Sequence, residues 1–332
     1  MVRIFILLKS SQFSTDFNMI SFGYFCLVNE ALKNWVILIV LSCLWGSSFI
    51  LMKLGMFDQE GDVVFTDRQV AGLRMLIASA VLMPFALSNI RKVSDLKTWV
   101  YLLIVGFCGN FIPAYLFTYA ETGISSGYTG MLNSFTPIFA LLIGFVFFGN
   151  RLNRLQLTGV GVGTVGIFCL SLAGRDLHLT GDVTHILAVV LATICYAISL
   201  NVIKYKLSHL RGLVITSLAF MLMFIPAAGS FAFEGTLYVL KSDSAYLTNL
   251  LAISILAIVG TAFAVYLFNV LIAGSTVLFS SSVTYFIPII AILIGFIMGE
   301  ETNSYQVISL LIILTGIFIA NLSNLLPEKL NP

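Results

Sequence analysis

The chain reads as an all-α integral membrane protein, with ten transmembrane helices arranged as two inverted five-helix repeats. Three observations lead there. Hydrophobic residues make up 59% of the 332 residues and charged ones only 10%, whereas a soluble domain carries about 25% charged residues to cover its outside. Apolar stretches of about 20 residues, enough to cross about 30 Å of hydrocarbon, recur ten times along the chain. The membrane-spanning part also occurs twice.

The repeat is read by advancing 151 residues: Lys53 lands on Lys204, Gly109 on Gly260, and Tyr115-Leu116-Phe117 on Tyr266-Leu267-Phe268. Gly123 lands on Gly274, and Phe135-Thr136-Pro137 on Phe286-Ile287-Pro288. After one deletion the offset is 150, pairing Gly149 with Gly299, Gln156 with Gln306, and Gly166-Ile167-Phe168 with Gly316-Ile317-Phe318.

The spans fall at 35–54, 67–88, 98–119, 125–148 and 155–173, then at 183–204, 213–231, 248–271, 276–298 and 305–325. They define a first repeat over 34–174 and a second over 181–325, separated by a polar stretch at 174–182. A tail follows at 326–332, and an extension at 1–33 precedes them. The extension's apolar run from Phe17 to Val28 is too short to span, and a start at Met19 explains it as well as an interfacial helix does.

Five helices per half is an odd number, so the second half enters from the opposite side and the repeats are inverted. The side holding both termini carries twelve basic residues: Arg3, Lys9, Lys33, Arg91, Lys92, Lys97, Arg151, Arg154, Lys204, Lys206, Arg211 and Lys329. The other side carries four, Lys53, Arg68, Arg175 and Lys241. This bias puts both termini in the cytoplasm of a plasma (inner) membrane. The net charge of +2 reflects topology and gives no reason for a nucleic-acid partner.

The five cysteines show no paired spacing and the three histidines lie far apart, so no metal site, disulfide framework or cofactor is expected. No glycine-rich turn serves a nucleotide. An embedded enzyme needs a converging nucleophile and base, and none appears.

Charge inside hydrocarbon is the sharpest pointer to a site. Arg74 is the only formal charge well inside a predicted span. Either it faces a cavity and attracts a carboxylate, or it snorkels or pairs with Asp67 or Glu121. Pro137 and Pro288 occupy equivalent mid-span positions. Each proline frees the carbonyl four residues earlier, on Asn133 and Thr284, and such a group needs a new partner in lipid. Around these breaks cluster further polar residues, Ser48, Tyr128, Asn269, Ser280 and Ser282 among them, and Trp45, Ser47, Asn110, Tyr115, Tyr196, Tyr266, Ser281 and Tyr285 are the further candidates for lining a substrate cavity. A hydroxyl bonding back to its own helix is the structural alternative for each serine.

The order Leu44-Trp45-Gly46-Ser47-Ser48-Phe49 with Lys53, Ala71-Gly72-Leu73-Arg74 before Pro84, and Asn133-Ser134-Phe135-Thr136-Pro137 before Gly149 resembles the EamA-type branch of the drug/metabolite transporter superfamily. Gly159, Gly163 and Gly166 continue the likeness, which covers about 34–325. Two positions depart from it: Asn150 stands where the family usually has an acidic residue, and Tyr196-Ala197 replaces an aromatic-glycine pair.

The resemblance implies an exporter of small metabolites, often amino acids, with a cavity between the halves. Helices 7 to 10 lack interior Lys or Arg, so a phosphorylated solute lacks its usual clamps. No acidic residue near mid-membrane offers a hydrophobic cation its counter-charge. The expected substrate is therefore neutral or zwitterionic, carried by a monomer or homodimer in the bilayer. A drug exporter, a sugar-type or phosphorylated-metabolite exporter, a membrane sensor and an embedded enzyme are the alternatives.

Overall fold

The computed structural model describes residues 32–58, 60–150, 153–173, 183–242, 246–299 and 303–325. The predicted extension (apart from Leu32 and Lys33), the tail and the 174–182 connection lie outside them. The described residues are helical and form no strand; an isolated bridge joins Phe57 and Val63. The helices in chain order are α1 (Leu32–Met56), α2 (Asp67–Asn89), α3 (Leu96–Ala120), α4 (Ser126–Phe148), α5 (Arg154–Ala173), α6 (Val183–Lys206), α7 (Gly212–Phe233), α8 (Leu247–Gly274), α9 (Phe279–Ile297) and α10 (Ser304–Leu325). A short helix, Thr236–Ser242, sits between α7 and α8.

Among the described residues, eight of these helices are long and apolar enough to cross a membrane, and shorter apolar stretches lie at Arg154–Leu170 in α5 and Ser304–Ala320 in α10. Lipid-facing side chains are large and apolar, such as Ile225 and Phe296, exposed by 79% and 75%. In hydrocarbon their exposure costs nothing, so close packing and internal hydrogen bonds must hold the helices together.

The helix starts show why equivalent segments fold alike. Ser125 caps α4 by accepting from Tyr128 N at 3.2 Å, and Thr276, 151 positions later, accepts from Phe279 N at 3.1 Å. Asn153 and Gln156 open α5 with a reciprocal box: Gln156 N donates to Asn153 Oδ1 (2.8 Å) and Asn153 N to Gln156 Oε1 (3.1 Å). Asn303 N donates likewise to Gln306 Oε1 at 3.1 Å at the start of α10. Gly149 and Gly299 stand at the ends of α4 and α9 with φ of 71° and 86°, the left-handed region that favours glycine. Gly299, like Gly149, is therefore a helix terminator.

Packing between helices recurs with the halves exchanged. Gly109 of α3 lies against Ser199 of α6, and Gly260 of α8 against Ser48 of α1. Gly123 seats His185, and Gly274 seats Asn34, which donates to the Gly274 carbonyl at 3.1 Å. Gly166 meets Ile313, and Gly316 meets Gly163, so α5 and α10 approach backbone to backbone.

Two breaks differ from the expected ones. α3 and α8 each contain a π-helical segment, Phe107–Phe111 and Ile258–Phe263, starting at equivalent positions. Such bulges widen the turn and leave a carbonyl without its usual partner. In α4 the helix is interrupted at Ser134-Phe135, and in α9 at Ser282. The carbonyls expected to be freed by Pro137 and Pro288 are taken by protein hydroxyls: Thr136 Oγ1 donates to Asn133 O (2.9 Å), and Ser134 Oγ reaches across to Thr284 O (3.2 Å).

Candidate functional site

The π-helical segments place the central polar groups. Asn110 Nδ2 donates to Val105 O at 3.3 Å, and its equivalent Thr261 donates through Oγ1 to Leu256 O at 2.9 Å. Each side chain thus satisfies the carbonyl five residues earlier on its own helix. Both residues face a cavity of about 960 Å³, counting the open space at its mouth. Residues of α1, α2, α3, α4, α6, α8 and α9 line it; among the described residues α5, α7 and α10 contribute none.

Most of this lining comes in repeat-related pairs: Trp45 with Tyr196, Ser48 with Ser199, Phe49 with Leu200, Met52 with Ile203, Asn110 with Thr261, Phe117 with Phe268, Asn133 with Thr284, and Thr136 with Ile287. Aromatic contacts stiffen the wall, with Trp45 edge-on to Phe268 at 4.9 Å and Phe117 stacked on Tyr196 at 5.7 Å.

Arg74 breaks the pairing. Its equivalent, Ile225, faces outward at 79% exposure, whereas Arg74 is 8% exposed and lines the cavity. Its Nε donates to Thr261 Oγ1 at 2.7 Å, and one terminal nitrogen lies 3.7 Å from Met52 Sδ. Among the described residues no carboxylate comes within ion-pair distance of it, so the expected alternative partners Asp67 and Glu121 do not neutralise it. Glu121 is instead buried at 2% exposure and accepts from Ser126 Oγ at 2.8 Å. A buried guanidinium without a counter-charge is costly, and an anionic group entering the cavity offsets that cost.

Of the sequence candidates, Trp45, Arg74, Asn110, Asn133, Tyr196, Ser281 and Thr284 line the cavity. Pro137 and Pro288 do not; their neighbours Thr136 and Ile287 do, and Pro288 lies against Gly130 between α4 and α9. Ser47 is outside the lining and bonds back to Leu44 O at 3.1 Å. Tyr115 brings its hydroxyl to Gly72 between α2 and α7, its ring tilted against Phe111, because the π-helical segment rotates the rest of α3 relative to a regular helix. Tyr266 and Tyr285 are also outside the lining.

Lining residues outside the expected set include Thr261 and Asn269. Applying the 151-residue offset to Asn110 would have found Thr261. Asn269 is one of the polar residues clustered near the helix breaks, and its equivalent, Thr118, instead bonds back to its own helix at Ala114 O (2.8 Å).

The family model described as the EamA-like transporter family matches residues 33–172 and again 183–322. The chain belongs to the EamA-like transporter family. This EamA-like protein is a multi-pass membrane protein of a transporter family.

It is similar to the inner membrane transporter YedA of Escherichia coli (strain K12), 23% identical over 80% of this chain and 83% of that protein. A probable amino-acid metabolite efflux pump of Escherichia coli (strain K12) is 22% identical, and one of Salmonella typhimurium 23%; each match covers 86% of this chain and 94% of the relative. A crystal structure 16% identical in sequence shares the fold, with a TM-score of 0.58 over 89% of this chain and 98% of that one.

Proposed function

We propose that this EamA-like protein is a secondary transporter that exports small neutral or zwitterionic metabolites such as amino acids, working by alternating access between two inverted five-helix halves. The observation that carries the solute class is Arg74, buried in the cavity with a hydroxyl and a thioether for neighbours and no carboxylate in reach among the described residues. A single guanidinium suits one carboxylate, because its fork matches two oxygens. It is a poor match for a phosphate ester, which normally draws several such groups. The likeness to amino-acid metabolite efflux pumps supports the same solute class and the direction of transport.

The contacts that recur with the halves exchanged, Gly109 on Ser199 and Gly260 on Ser48, support a two-fold relation between the halves. With five spans in each half, that axis lies in the membrane plane and inverts one half against the other. The excess of basic residues on the terminal side supports cytoplasmic termini in the inner membrane.

The test is counterflow in proteoliposomes with a panel of labelled amino acids, comparing wild type with Arg74→Gln and Arg74→Lys. Loss of a charge-assisted bond of about 1.5–3 kcal/mol predicts about a 10- to 100-fold drop in transport per folded molecule for Arg74→Gln. Arg74→Lys keeps the charge but loses the fork, so it should fall between the two. Unchanged transport per folded Arg74→Gln molecule would remove the carboxylate role, and no counterflow with any amino acid would remove the solute class.

A further inference from the structure

The cavity holds a second polar group that its own surroundings leave unsatisfied. Asn269, on α8, is 1% exposed and lines the same space as Arg74. Its Nδ2 donates to Thr216 Oγ1 at 2.7 Å, while that hydroxyl donates to Gly212 O at 2.9 Å. Because the Thr216 proton is already committed, the amide is held with nitrogen towards α7 and oxygen away from it. That oxygen, Oδ1, is buried and has no hydrogen-bond partner. Such an acceptor is costly to leave unmet, and the group best able to meet it is a donor arriving in the cavity.

Arg74 and Asn269 lie towards opposite ends of one wall. Arg74 is tied to Thr261, and Asn269 follows Thr261 by eight residues on α8, which at 1.5 Å per residue is about 12 Å. Subtracting a hydrogen bond of about 2.9 Å at each end leaves about 6 Å for a solute bonded to both. An ammonium and a carboxylate on one carbon are too close together to reach both groups. Along α8 between the two groups the lining is apolar and aromatic, Val265 and Phe268, with Trp45 edge-on to Phe268 at 4.9 Å.

We propose that the cavity takes an amino acid end to end: carboxylate on Arg74, and on Asn269 Oδ1 a hydrogen-bond donor carried at the tip of an otherwise apolar side chain. This rests on the transporter reading above and narrows its substrate class. Amino acids such as tyrosine and lysine fit, having a hydroxyl or an ammonium beyond an apolar stem. Phenylalanine and norleucine present the same stems without the donor and leave Oδ1 unmet.

The experiment uses the full chain in proteoliposomes, measuring counterflow of labelled tyrosine, phenylalanine, lysine and norleucine in wild type, Asn269→Leu and Asn269→Asp. In wild type, tyrosine should outrun phenylalanine and lysine outrun norleucine by about tenfold, the size expected when a buried acceptor goes unmet. Asn269→Leu should abolish both preferences. Asn269→Asp, which keeps acceptor oxygens and adds charge, should favour lysine over tyrosine, and it supplies the answer if the leucine variant does not fold. Transport of all four with each pair equal in wild type overturns the end-to-end assignment and leaves the transporter reading intact. Preferences that survive in Asn269→Leu also overturn it, placing the donor elsewhere. Transport of none of the four overturns both this proposal and the amino-acid reading it rests on.

Discussion

Replacing Gly260 with alanine tests the joint between α1 and α8 that the repeat builds beside the cavity. An added Cβ would lie 2.8 Å from Ser48 Oγ, with Leu256 Cδ1 next at 3.4 Å and Leu44 O at 3.9 Å. Ser48 Oγ is bonded to Leu44 O at 2.7 Å. It can escape the overlap by giving up that bond, at about 1 kcal/mol, or the two helices can part, at about 1–3 kcal/mol for overpacking.

Alanine's better helix propensity works the other way by about 1 kcal/mol, and it does so whatever occupies position 48. In a Ser48→Ala background the clashing oxygen is gone and the nearest remaining atom is in ordinary contact, so Gly260→Ala should be neutral or stabilising there. The expected coupling in the four-protein cycle is about 1–3 kcal/mol. Reversible unfolding of wild type, both single variants and the double variant by titration from mild detergent into SDS measures it. If Gly260→Ala has the same effect in both backgrounds, Ser48 is not what the glycine accommodates and the joint is wrongly described.

Four further outcomes are expected. Cysteines at 133 and 284, in a background without native cysteines, should react with small water-soluble thiol reagents, and transported solute should protect both; unreactive positions in functional protein would place them in dry packing. Gly316→Ala drives its Cβ into backbone of α5, 2.7 Å from Gly159 O and 2.8 Å from Gly163 Cα, so it should cost about 1–3 kcal/mol or more. Gly161→Ala meets open space and should be neutral or stabilising by up to about 1 kcal/mol, as the same SDS titration would show. Asp95 caps α3, and hydrogen bonds from Thr98, side chain and backbone, hold its carboxyl below the ordinary value. Its stabilising effect should be complete above about pH 4 and fade as pH falls through the lowered value, whereas Asp95→Asn should lose that acid dependence in thermal unfolding scanned across pH.

The spans, the duplication and the buried charge were legible in the sequence because each rests on a local rule. Long apolar runs must cross or hide, and a lone arginine among them marks a cost that something must offset. The repeat offset also carried tertiary information unawares, since residues one offset apart, such as Ser48 and Ser199, hold equivalent contacts. The capping pairs Asn153/Gln156 and Asn303/Gln306 were equally open to reading.

What the tertiary structure decided was where each helix turns its side chains. Prolines are visible in a sequence, so Pro137 and Pro288 drew attention, yet hydroxyls from Thr136 and Ser134 satisfy the carbonyls they free. The π-helical segments leave no residue-type signature, and they orient Asn110 and Thr261 into the cavity while the later turn of α3 carries Tyr115 towards α2 and α7. Whether Arg74 was paired, and whether Asn269 kept a free acceptor, depended on neighbours as far off in the chain as Thr261 and Thr216. A hydrogen bond between helices depends on their rotation and depth, which periodicity within one helix does not encode.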